Sequence, residues 1–446
     1  MQTRKINLLE GDILKKLIIL AAPLMATAFV QMTYNFVDII WLGKLGTKEV
    51  AAVGAGGIII WLSSSFVAVS RVGGNVFVSQ YYGAKDEKRL NNAIKNSLFL
   101  VFAFSIVFLL VIMLFANQII GFFGLDEDVT NLGASYLRVV SVGMIFQFLN
   151  QQTSTLYNSI GNSFSPFKIN AIGLIINIFL DPILIFGLGF FPRMGVFGAA
   201  IATSFAQFIV SLIFLGDMIK HNNEVYEGVK KGSLKKFALG QIVKMGAPAG
   251  LQNAFMASIS LVLNRFVGSF GKTPMAVYTI GTNIESITWM TTEGFQSGII
   301  AFVGQNFGAR KISRLKEIIK KSMSVVASIG IFSTFVLITF RYDLYKIFLP
   351  KNPQAIAIGA SYLLILGVSQ LFMSVEIGSS GVFHGLGLTK IPSTISIVFN
   401  LLRIPLALIL MEYYSFYGVW KALTISSILK GSICLIILYR KYHNLG

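Results

Sequence analysis

Apolar stretches of about 20 or more residues, the length at which a helix crosses a hydrocarbon core of ~30 Å, follow one another along the whole chain. Their spacing predicts twelve spanning helices, near residues 17–42, 48–79, 95–123, 133–156, 166–190, 195–219, 240–269, 275–305, 318–348, 355–379, 387–411 and 416–439. A hydrocarbon core offers no water to backbone N–H and C=O groups, so runs of this length must be helices. The pattern is that of an all-α polytopic membrane protein. The first run, Leu17 to Leu42, is longer than the apolar part of a secretory leader and lacks a small-residue cleavage site, so it reads as the first span.

The pattern also repeats. A shift of 225 positions lays Gln80-Tyr81-Tyr82-Gly83-Ala84-Lys85 on Gln305-Asn306-Phe307-Gly308-Ala309-Arg310, Pro23 on Pro248, and Gly46, Gly56 and Gly73 on Gly271, Gly281 and Gly298. A shift of 226 lays Ala134-Ser135-Tyr136-Leu137 on Ala360-Ser361-Tyr362-Leu363 and Pro166 on Pro392. Two homologous six-helix lobes are expected, residues 1–220 and 240–446, joined by a basic cytoplasmic linker at 221–239. An even number of spans per lobe makes the repeats parallel, as in secondary transporters whose halves move about a central site.

Composition agrees: 54% of the 446 residues are hydrophobic and 13% charged. A net charge of +18 would suggest nucleic acid in a soluble protein, but here the basic residues recur in alternate loops. Lys85, Lys88 and Arg89 follow the second span, Lys230, Lys231, Lys235 and Lys236 the sixth, and Arg310, Lys311 and Arg314 the eighth. The positive-inside rule then places both termini in the cytoplasm, with these residues facing anionic lipid heads and not nucleic acid. The basic linker is either a short amphipathic helix on the inner leaflet or a plain connection. Cys434 is the single cysteine, which rules out a disulfide framework or a thiolate metal cluster within one chain. There is no phosphate-loop signature; Gly54-Ala55-Gly56-Gly57 lies inside an apolar span and reads as close helix packing. With no catalytic or metal-cluster spacing either, neither an enzyme nor a bound cofactor is expected.

An ionisable side chain at membrane depth costs at least ~2.5–3.5 kcal/mol on insertion scales, so each one needs a reason. In the first lobe these are Asp38, Arg71, Arg138 and Asp181. Asn177 lies one helical turn before Asp181, on the same face, and Pro182 loosens the backbone just after it. Two carboxylates, a carboxamide and freed carbonyls are hard oxygen ligands for a small monovalent cation, or for a proton shared between two acids that resist double ionisation. Alternatively Asp38 and Asp181 pair with Arg71 or Arg138 as structural ion pairs. The counterpart of Asp38 is Leu263, and the second lobe reads Asn400-Leu401-Leu402-Arg403-Ile404-Pro405 near the counterpart of Asp181, so the acid pair is peculiar to the first lobe.

The order and spacing of these pieces resemble those of the multidrug and toxic compound extrusion (MATE) transporters, over nearly the whole chain. The residues that carry the likeness are Ala22-Pro23-Leu24, Phe36-Val37-Asp38, the Gln80–Ala84 run, Asn177 with Asp181-Pro182, Gly195-Val196-Phe197-Gly198, Gly246-Ala247-Pro248 and Gly304-Gln305 with Gly308-Ala309. The resemblance implies a V-shaped pair of lobes in the plasma membrane of a prokaryote, working as a monomer. It implies export of amphipathic organic cations in exchange for Na+ or H+, without a cofactor. In the branch related to DNA-damage-inducible DinF proteins, it implies a cation site at Asp38, Asn177, Asp181 and Thr203, binding Na+ if coupling is to sodium. Gln31, Tyr34 and Tyr136 would line the same cavity, and Pro23 would bend the first helix. The seventh span departs from other branches: Gly250-Leu251-Gln252-Asn253 carries no acid. The second lobe instead has Arg265, Glu285, Glu293, Glu376 and Arg403, which either neutralise one another or form a second polar site. His384, at an expected helix end, is a titratable candidate or an incidental loop residue. The rival function is a flippase for lipid-linked oligosaccharides or lipids, in which Arg71, Arg138, Arg265 and Arg403 would hold a pyrophosphate.

Overall fold

A computed structural model describes residues 5–445, and within them all side chains but those of Asn35, Phe36, Ile39 and Thr47; Phe36 of the Phe36-Val37-Asp38 motif thus lies outside the described set. All secondary structure among these residues is helical, in the order α1 (Ile13–Gly43), α2 (Thr47–Gly83), α3 (Glu87–Gly121), α4 (Glu127–Ser159), α5 (Phe164–Phe186), α6 (Gly195–His221), α7 (Glu224–Lys231) and α8 (Lys236–Gly268). There follow α9 (Lys272–Gly308), α10 (Ile312–Thr339), α11 (Arg341–Phe348), α12 (Pro353–Gly367), α13 (Gln370–Gly385), α14 (Lys390–Leu401), α15 (Arg403–Tyr414) and α16 (Tyr417–His443).

Nine described helical stretches are long and apolar enough to span on their own, with α14 and α15 counted as one, and the bent pair α12–α13 makes a tenth. The long helices α8 and α9 complete the twelve spans. They are more polar, for a local reason: Gln252 and Asn253 of α8 and Glu285, Ser286, Glu293 and Gln296 of α9 line an internal cavity. The remaining helices, α7 and α11, have eight residues each and are too short to cross.

The repeat seen in sequence governs the backbone. Helices α2 and α9 both have 37 residues and start 225 positions apart, and their exits carry matching left-handed residues, Lys85 at φ 56° and Arg310 at φ 55°. Gly161 and Gly387, at φ 90° and 77°, end α4 and α13 in the same way. Copies differ where the second half breaks. The single helix α4 corresponds to α12 and α13, bent by 45°, and α5 corresponds to α14 and α15. Pro405 explains the latter break, because its ring clashes with the carbonyl four residues earlier, at Leu401.

By their contacts the residues form two compact units, Met1–Asn7 with Ala26–Gly250, and Leu8–Met25 with Leu251–Gly446. The boundaries between these units cross α1 and α8. They fall just after Pro23 and Pro248, so the first turns of α1 belong with the later helices and the first turns of α8 with the earlier ones. Glycines make these attachments close: a Cβ on Gly246 would sit 1.8 Å from the Val69 carbonyl oxygen, and one on Gly294 would sit 2.8 Å from the Met25 nitrogen. Each unit has its own core, around Tyr136, Met144 and Phe148 in the first and Tyr345, Tyr362 and Trp420 in the second.

The linker is ordered. Helix α7 starts at an Asn223 cap that accepts from the Tyr226 N–H at 3.0 Å, and its Glu227 pairs with Lys231, which holds the carboxyl below its usual range. Beyond it, Asn92 and Asn96 of α3 clasp the backbone of Ser233 and Lys235 through bonds of 2.8–3.1 Å. The segment is thus helical over Glu224–Lys231.

Candidate ion site and internal cavities

In the first unit, Asn177 and Asp181 project from one face of α5, and both are fully buried. The Asn177 Nδ2 donates to Asp181 Oδ1 at 3.0 Å and lies 3.5 Å from Thr203 Oγ1 on α6, which in turn lies 3.5 Å from Asp38 Oδ2 on α1. Helix α6 comes this near because Gly198 has no side chain: a Cβ there would lie 2.5 Å from the Leu184 carbonyl oxygen of α5. Gly173, one turn before Asn177, similarly admits the Tyr34 hydroxyl, which a Cβ would approach to 2.6 Å.

Four buried oxygens here have no hydrogen-bond partner: Tyr34 Oη, Asp38 Oδ1, Asn177 Oδ1 and Asp181 Oδ2. Asp38 and Asp181 lie within hydrogen-bonding reach of each other, and no arginine acts on either. Two carboxylates so placed are strongly destabilised unless a proton or a cation lies between them. The donor set, all oxygen with two acids, fits a hard monovalent cation; among the described residues no group of three or more His, Cys, Asp and Glu exists to hold a transition metal. The alternative of structural pairs with Arg71 or Arg138 is not what the geometry contains.

Asp38 and Thr203 border a cavity of about 630 Å³, together with Gln31, Tyr34 and Tyr136. All the residues expected for the first-lobe site and its cavity are thus gathered there, except that Asn177 and Asp181 sit behind its wall and Pro23 lies elsewhere along α1. Sequence reasoning overlooked the amides of the same cavity. Asn150 Nδ2 donates to the Gln207 carbonyl and side-chain oxygens at 2.8 and 3.0 Å, and Asn170 Nδ2 lies 3.2 Å from Ser154 Oγ. Their signal was polar residues inside apolar spans, the same signal that marked Asp181.

In the second unit, Glu285, Glu293, Glu376 and Arg403 line a cavity of about 330 Å³. Arg265 does not join them; it is exposed at the end of α8. His384 is no loop residue: it lies within α13, is only 6% exposed, and turns toward this cavity with Nε2 unpartnered. Lys430 of α16, which sequence reasoning passed over, pairs with Glu376 at 3.4 Å, and Ser396 donates to the same carboxyl at 2.8 Å. The arginines proposed to hold a pyrophosphate are not collected: neither Arg71 nor Arg138 lines the first cavity, and Arg403 alone lines the second.

A family model described as MatE matches residues 23–183 and 248–409, one copy in each half. The chain belongs to the MatE family. MatE proteins are membrane transporters, not enzymes, and the two matched segments coincide with the repeat. Over 407 residues the chain is 26% identical to a probable multidrug resistance protein, YoeA, of Bacillus subtilis, covering 89% of this chain and 87% of that one. It is 25% identical over 431 residues to the probable multidrug resistance protein NorM of Thermotoga maritima, covering 95% and 92%. In structure it resembles a multidrug resistance MATE transporter of the MOP superfamily solved in an outward-facing conformation, with a TM-score of 0.91 over 100% of this chain and 99% of that one at 22% identity. This MatE chain is therefore a multi-pass membrane transporter of twelve spans in two homologous halves.

Proposed function

We propose that the protein is a secondary multidrug exporter that exchanges amphipathic organic cations for Na+ or H+ by alternating access. The observation that carries this reading is the set of four unpartnered buried oxygens around Asp38, Asn177 and Asp181, beside a cavity large enough for an organic molecule. An incoming ion neutralises the two acids, and with them the attraction for a cationic substrate in the neighbouring cavity. Ion loss on the other side restores it. Exchange follows because ion and substrate favour different states of the same lobe. Pro23 supplies a weak point in α1, the helix that carries Asp38. The names of the relatives, multidrug resistance proteins, support the substrate class.

The same reading sets the chain in the plasma membrane of a prokaryote, as a monomer with both termini in the cytoplasm. Flipping of lipid-linked sugars gains no support, since it needs arginines grouped to hold a pyrophosphate. The test is efflux of a fluorescent lipophilic cation from proteoliposomes with Na+ and pH gradients imposed separately. Efflux driven by one gradient, and lost in Asp181→Asn, is the expected result; folded protein that moves no cation under either gradient sinks the proposal.

A further inference from the structure

The second-lobe cavity is lined by Glu285, Glu293, Glu376, Arg403 and Lys430, and their charges are treated differently. Glu376 and Lys430 satisfy each other at 3.4 Å, with Ser396 on the carboxyl. Arg403 and Glu285 do not pair, either with each other or with another charge, among the described residues. The Arg403 Nε and Nη2 bond only to hydroxyls, Ser426 Oγ at 2.7 Å and Ser427 Oγ at 3.2 Å. Glu285 lies within hydrogen-bonding reach of Tyr362 and Gln370, while its Oε1 has no partner. Three further polar groups turned to the cavity are also unpartnered and nearly fully buried: Ser380 Oγ, His384 Nε2 and Asn400 Oδ1, on residues 3%, 6% and 2% exposed.

Charges kept apart at membrane depth are costly, and a ligand that brings a counter-charge to each relieves both costs at once. We propose that this cavity binds a small zwitterion, its anionic group on Arg403 and its ammonium group on Glu285. Its volume of about 330 Å³ suits a compact molecule. The rings of Tyr278, Trp289 and Tyr362 on its wall suit an apolar or aromatic spacer and favour a nearby ammonium. The repeat supports the anionic end. A shift of 226 places Arg403 on Asn177, and a shift of 223, which lays Gly195-Val196-Phe197 on Gly418-Val419-Trp420, places Ser426 on Thr203. A fixed guanidinium thus stands where the first lobe has its oxygen ligands, so that end of the second cavity attracts an anion and repels a free cation. The inference concerns the second lobe alone and stands whether or not the first binds an ion.

The experiment is calorimetric titration of the full-length protein in lipid nanodiscs with 4-(aminomethyl)benzoate and with ω-amino carboxylates from 4-aminobutanoate to 8-aminooctanoate. The single-charge comparators are 4-methylbenzylamine and 4-methylbenzoate. At least one zwitterion should bind about tenfold or more tighter than either comparator. Arg403→Gln should remove that advantage and spare the amine; Glu285→Gln should remove it and spare the benzoate. Asp38→Asn, in the other lobe, should leave the affinity for the zwitterions unchanged. Thermal unfolding reports whether each variant is folded, and Arg403→Lys, which keeps the charge but not the fork, should give an intermediate affinity if Arg403→Gln is not. Equal affinity for zwitterions and comparators, binding that survives both cavity variants, or no binding by folded protein would each overturn the proposal.

Discussion

In the first lobe the Asn177 carboxamide of α5 faces Thr203 of α6; at the corresponding place in the second, the Arg403 guanidinium faces Ser426 of α16. The pairing of the two helices through a side-chain nitrogen and a hydroxyl is kept, and a neutral amide in the first lobe is replaced by a fixed positive charge in the second. Around Asn177 lie two acids with no basic partner, whereas around Arg403 the acids Glu285 and Glu376 share the lobe with Lys430. Duplication therefore preserved the turns at the exits of corresponding helices, which depend on backbone packing, while the buried charges diverged. A lobe with uncompensated acids has a use for a mobile cation. A lobe that carries its own cations does not.

That contrast can be broken. The largest effect expected is on transport: Asp38→Asn or Asp181→Asn should cut gradient-driven efflux by about 100-fold, because the coupling ion loses its differential affinity. The double variant Glu376→Gln/Lys430→Met should retain most of it. Efflux measured in proteoliposomes with the reverse ranking would mean that coupling belongs to the second lobe. A chimeric substitution sharpens the point: added Na+ or falling pH should raise the unfolding temperature of the unaltered protein, and Asn177→Arg, which gives the first lobe the second lobe's fixed charge, should abolish that rise.

Stability effects come next. Glu376→Gln alone leaves Lys430 buried without its partner and should cost about 3–5 kcal/mol, while adding Lys430→Met should recover most of the loss. Thermal unfolding in detergent, read as a cycle of single and double variants, tests this; a double variant no better than the single would mean that the pair is not isolated. The smallest effect is steric and compares repeat partners directly. A Cβ on Gly281 would lie 2.1 Å from the Tyr362 ring, and one on Gly56 would lie 3.0 Å from the Tyr136 ring. Gly281→Ala should thus cost about 1–3 kcal/mol and Gly56→Ala measurably less, by the same melting assay.

Much of this was legible in the residue order. Asp181 stood out because a carboxylate within an apolar run is conspicuous, and Asn177 joined it through helical spacing alone. The duplicated Gln-x-x-Gly-Ala-basic segments marked the α2 and α9 exits before Lys85 and Arg310 were seen in the same left-handed conformation. Lys430 offered the same signal as Asp181, an ionisable group in an apolar span, and was passed over because its partner Glu376 lies on another helix. Thr203 had no signal of its own; a hydroxyl is common in spans, and only the family resemblance pointed to it. Arg265 misled for the opposite reason: at the end of α8 it is exposed and needs no internal partner.

Sequence by itself determined the number and extent of the spans, their duplication and the oddity of the first-lobe acids, since hydropathy, helical period and repeated glycines are local properties of the chain. Tertiary structure alone decided that α1 and α8 each divide between two compact units after a proline, that Asp38 meets Asp181 and not an arginine, and that Lys430 answers Glu376 while Arg403 and Glu285 stay apart. Those outcomes depend on how closely helices distant in sequence approach, and that approach is set by which glycine of one helix lies against which backbone of another.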